Sequence, residues 1–166
     1  MKKKLSLLAG SLSLAVILTA CGRDPQLEQF KTDIDTFCTN ISMLDTSINN
    51  VDTSADGALD EMLGYLEDLN TEFQKFADLD FPEEFDYLEP YADEAGAYMA
   101  EAVSSYMDAY TNETYTEEMF TATYQYAREN ESRAFRRVQI IITLLHGEDP
   151  ETLGLATVAP EETTSE

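Results

Sequence analysis

The chain has 166 residues, of which 33 are acidic, 10 are Lys or Arg and 1 is histidine, giving a formal charge of −23. A surface that negative repels nucleic acid and anionic lipid headgroups. A single histidine excludes zinc sites built on several His ligands and di-iron sites built on paired Glu-x-x-His motifs.

The first element is an export signal. Lys2, Lys3 and Lys4 form a positive n-region, and Leu5 to Thr19 make an apolar stretch too short for a comfortable membrane span. It ends in Leu18-Thr19-Ala20-Cys21, small residues followed by a cysteine. This resembles the lipobox of bacterial lipoproteins, and its place at the end of an n-region and h-region makes the short motif specific. An ordinary secretory signal with an incidental Cys21, or an uncleaved helix, is the competing reading. The resemblance implies cleavage after residue 20 and a diacylglycerol of palmitate-type chains on the Cys21 thiol. It also implies a cell-membrane location on the extracytoplasmic face. Gly22 follows, rather than the aspartate linked in that family to inner-membrane retention. Two acyl chains suffice for stable anchoring, at about 0.8 kcal/mol per buried methylene. The lipid, and not a basic patch, is the membrane partner.

The expected organisation is a signal peptide over 1–20, a lipidated tether over 21–26, a helical bundle over 27–147 and a disordered acidic tail over 148–166. The mature part is long enough for one domain with a real core. Leu27, Phe30, Ile34, Phe37, Ile41, Leu44, Ile48 and Val51 alternate spacings of three and four, a heptad seam. Cys38 lies beside that seam and reads as a small buried hydrophobe, intermolecular pairing being the alternative. With Cys21 acylated, no internal disulfide remains. After the loop Asp52 to Gly57, a second stripe follows: Leu59, Met62, Leu66, Leu69, Phe73 and Phe76. The short loop makes the two helices antiparallel neighbours, with Ser54 or Asp56 as expected cap.

Pro82 suits the first turn of a new helix, with Glu83 and Glu84 at its positive end. Pro90 divides the region into a short turn and a longer helix. The longer piece carries Ala92, Ala95, Met99, Ala102, Tyr106 and Tyr110, and its alanines would let a neighbour approach closely. Thr116 before Glu117 and Glu118 is a good N-cap for the last helix. That helix runs through Phe120, Tyr124, Ala127, Ala134, Val138, Ile141 and Leu145, widened by Phe135 and Ile142, to His146-Gly147. Four amphipathic helices with short connections predict an all-α, antiparallel up-down four-helix bundle.

Chemistry is sparse. Asp52, Ser54 and Asp56 with Gly57 match the opening of an EF-hand calcium loop, and Asp60 falls at position 9. Position 12 is Leu63, where the loop needs a bidentate glutamate. The nearer reading is a polar helix–helix turn, so no metal and no cofactor are expected. Arg128, Arg133, Arg136 and Arg137 gather on the last helix; charge pairing, with Glu129 four residues before Arg133, outweighs an anion site. Tyr87, Tyr91 and Tyr98 share a face at helical spacing and make a candidate partner face, against the plainer reading that they roof the core edge. No phosphate loop or catalytic triad is evident, so the chain reads as a non-enzyme. The expected function is a membrane-anchored protein-interaction or structural module of the cell envelope, with an envelope protein as partner and no nucleic acid. The alternative is a small-ligand or cation-binding lipoprotein. Past the lipobox, the mature domain resembles small bacterial lipoproteins in general and no particular family.

Overall fold

In the computed structural model, residues 25–155 are described, so Cys21, the signal segment 1–20 and the tail beyond 155 lie outside the described residues. The seam positions fold as their spacing demands. α1 spans Pro25–Asn50 and buries Leu27, Phe30, Ile34, Phe37, Ile41 and Ile48, with Cys38 beside them. It starts two residues before the expected start of the bundle at Leu27, because proline is well tolerated in the first helical turn. α2 spans Ala58–Ala77 and presents Leu66, Leu69, Phe73 and Phe76 to the core. Leu59 departs from its predicted place: in the first turn beside the loop it stays 40% exposed, and Leu63 is buried instead.

Neither Ser54 nor Asp56 caps α2. The N-cap is Gly57, whose left-handed backbone (φ 83°) turns the chain into the helix. Its carbonyl accepts from Glu61 N at 3.0 Å.

A 3-10 turn at Glu83–Leu88 follows, opened by Pro82, and α3 (Glu89–Thr111) carries Pro90 in its first turn. Phe81 and Phe85 fold over the N-terminal part of α1, with ring centroids 4.9 and 6.0 Å from Phe30. Small residues dominate the buried face of α3, namely Ala92, Ala95, Gly96, Ala102 and Ala109. Two helices approach closely where side chains are this short, and α3 packs along α4 (Glu117–Leu145) more extensively than any other pair does. On its other side Gln74 Nε2 of α2 donates to the Gly96 carbonyl at 2.9 Å. Thr116 caps α4 as expected, its hydroxyl accepting from Met119 N at 3.2 Å.

Phe37, Phe73 and Phe135 bring α1, α2 and α4 into one core: the Phe37–Phe73 and Phe73–Phe135 centroids are both 5.3 Å apart. The result is an all-helical four-helix bundle, with no strand among the described residues. α1 packs closely on α2 but makes no comparably close backbone contact with α3 or α4.

Of the disordered tail expected over 148–166, residues 148–155 are described, and these take up local structure. Residues Pro150–Leu153 form a second 3-10 turn, and Arg136 Nη2 donates to the Gly154 carbonyl at 3.3 Å. Local chemistry explains it. Asp149 caps the turn by accepting from Glu151 N at 2.9 Å, Pro150 is buried, and Gly147 and Gly154 take the left-handed conformations at either side.

Candidate functional site

The calcium-like loop closes on itself. Asp52 Oδ1 accepts from both the backbone N and the hydroxyl of Ser54, at 3.0 and 2.6 Å. These bonds hold the Asp52 carboxyl below its ordinary range. Leu63, at the position of the required glutamate, points into the core. Among the described residues no group of three or more His, Cys, Asp or Glu side chains, Asp52, Asp56 and Asp60 included, is placed to hold a metal ion. The acidic loop is an Asx-type turn between helices.

The tyrosine face and the arginine cluster, two features in the sequence, become one seam in the fold. The Arg137 guanidinium lies 5.7 Å from the centre of the Tyr91 ring, and that of Arg133 lies 5.8 Å from Tyr98. Arg137 also pairs with Glu94 of α3. Each contact joins α3 to α4, and cation–π pairs of this kind contribute about 0.5–1 kcal/mol where partly exposed. Tyr91 and Tyr98 are thus half-buried against the core, whereas Tyr87 stands apart on the 3-10 turn, 55% exposed. The three do not form one free face. The expected Glu129–Arg133 pair gives way to the Tyr98 contact, because Tyr98 offers a flat ring on the neighbouring helix.

Cys38 behaves as the small hydrophobe expected. Burial, reinforced by the nearby Asp35 charge, pushes its thiol up to about 12. Such a thiol carries almost no thiolate near neutral pH and is a poor nucleophile.

The most unusual chemistry lies at a position that apolar periodicity does not mark. Glu131 of α4 is only 5% exposed, and Tyr106 of α3 is fully buried beside it. The Tyr106 hydroxyl donates to Glu131 Oε2 at 2.7 Å. The other carboxyl oxygen, Oε1, is buried without a hydrogen-bond partner. Burial dominates the consequence and pushes the Glu131 carboxyl up to about 7. The Tyr106 hydrogen bond and the Arg128 charge pull it down, and the Asp45 charge on α1 pushes it further up. Tyr124 closes the layer, its ring edge-on to Tyr106 at 5.5 Å.

A carboxyl so placed can gain or lose a proton near neutral pH, within a helix seam. Its signal was present in the spacing. Between Ala127 and Ala134 the heptad step lands on Glu131, and a charged residue there is a seam position of a different kind.

No protein-family model matches this chain, and no curated protein or solved structure resembles it significantly.

Proposed function

We propose that this chain is a lipid-anchored, extracytoplasmic lipoprotein that acts as a protein-interaction or structural module of the cell envelope. The observation that carries the reading is the junction of the lipobox with the bundle. Only Gly22, Arg23 and Asp24 separate Cys21 from the start of α1 at Pro25. An extended tether of that length reaches about 15 Å, so a lipid on Cys21 holds the helices against the membrane surface. A continuous core supports a docking body, and the rings of Tyr87 and Tyr126, with Met43 and Met119, are among the large apolar groups left exposed for a partner. No helix among the described residues is long and apolar enough to cross a membrane; in this reading the lipid makes the attachment.

The test is metabolic labelling with palmitate, followed by crosslinking in native membranes and mass spectrometry. Wild type is expected to take the label and to enrich one dominant envelope protein. Cys21→Ala loses the label and leaves the membrane fraction, and Tyr87→Ser weakens the crosslink in a folded chain. An unlabelled wild type would overturn the anchor. Enrichment no greater than that of an unrelated lipoprotein would overturn the interaction module.

A further inference from the structure

α1 is the helix least held by the rest of the molecule. α3 is zipped to α4 by small residues and clamped to α2 through Gln74 and Gly96. α1 leans mainly on α2, and its second half is anchored by Ile41, Ile48 and the half-buried Leu44. Its outer face is built from Thr, Ser, Asn and Asp, residues of low helix propensity. Several of them, Thr39, Thr46 and Ser47 among them, turn their hydroxyls back onto the carbonyl four residues earlier. Such back-bonding slightly weakens a helix. The second half of α1 therefore relies on tertiary contact to remain closed.

Asp45 of α1 is half-buried and acts through its charge on Glu131. Tyr106 faces the carboxyl from α3, and Tyr124 and Arg128 lie near it along α4. No titratable group of α2 acts on it.

We propose that Glu131 is a proton-operated latch for the second half of α1. With the carboxyl neutral, Ile41–Asn50 closes over the α3–α4 pair. When the proton leaves to solvent, a carboxylate with one unpartnered oxygen stands in the seam beside a second carboxylate, Asp45. Water must then reach Oε1, and the movable element that admits it is α1. Opening and deprotonation are therefore linked, since the open state binds the proton more weakly than the closed one. The raised proton affinity of the closed site, about 7, accords with this coupling.

Hydrogen exchange of the full chain in detergent micelles, from about pH 5 to about pH 8 and corrected for intrinsic exchange chemistry, tests the latch. Protection of the amides in 41–50 is expected to fall by up to about tenfold per pH unit below about pH 7 and then level off. Amides of α3 keep their protection, and Glu131→Gln removes the pH dependence in α1. A flat wild-type profile, or an unchanged slope in Glu131→Gln, overturns the proposal. Two further variants serve if that one does not fold. Asp45→Asn removes a charge that raises the proton affinity, so its levelling point moves to lower pH. Tyr106→Phe removes a donor that favours the carboxylate, so its levelling point moves higher. Equal levelling points in these two variants overturn the proposal as well.

Discussion

Glu131 shows how one side chain bears on stability as well as on motion. Its folded-state proton affinity, about 7, lies above the ordinary value of 4.5. Below about pH 4.5 the carboxyl is neutral in folded and unfolded chains alike, and its contribution is fully present. As pH rises toward about 7 the folded chain holds the proton longer than the unfolded one, so stability falls, and above that it levels. The full loss is about 3 kcal/mol. Glu131→Gln should abolish that slope in thermal melts and at about pH 8 be more stable than wild type by about 1–3 kcal/mol. A second residue-scale expectation concerns Cys38. With its thiol buried and pushed up to about 12, it should resist alkylation in the native chain and react promptly after unfolding, as mass spectrometry would read. Cys38 was legible because it adjoins a run of seam residues. Glu131 was legible only in principle, because attention to apolar positions steps over the charged residue that interrupts them.

At the scale of elements, spacing and punctuation carried most of the information. Three–four periodicity placed all four helices, Pro90 placed the division before α3, and Thr116 placed the start of α4. What they did not carry depends on contacts between distant parts of the chain. Leu59 satisfies its stripe but sits where nothing covers it well. Tyr91 and Tyr98 share a face, yet which helix covers that face is a property of the packed bundle. Ser54 has capping chemistry but spends it on Asp52. Two glycines separate propensity from packing. Gly64 lies in α2 with open space where a Cβ would stand, whereas a Cβ on Gly96 would meet the Ala77 Cβ at 3.0 Å. Gly64→Ala should raise stability by about 0.5–1 kcal/mol. Gly96→Ala should gain less, and Gly96→Val should destabilise by about 1–3 kcal/mol as α2 and α3 are forced apart. Urea unfolding of the three variants gives the comparison.

Over the whole molecule the excess of 33 acidic over 10 basic residues opposes compaction. Ion pairs offset little of it: Lys31–Glu28 and Lys75–Glu72 are local i,i+3 pairs within one helix, and Arg137–Glu94 ties α4 to α3. The melting temperature should therefore rise as NaCl increases from about 0.01 M to about 0.3 M, where the Debye length contracts from about 30 Å to below 10 Å. A flat or falling profile would show that self-repulsion is not a governing term.

The antiparallel course of the helices also sets heights above a membrane. The start of α1, the 3-10 turn bearing Tyr87 and the end of α4 share one end of the bundle, and the two hairpin turns, Asp52–Gly57 and Asn112–Thr116, share the other. At 1.5 Å per residue the 26 residues of α1 span about 39 Å. On the proposed anchor, a binder of Tyr87 must work among lipid headgroups, while a binder of the hairpin turns meets the molecule several nanometres out. An epitope tag in each place would act as a ruler, the inner one shielded by the bilayer and the outer one open to antibody.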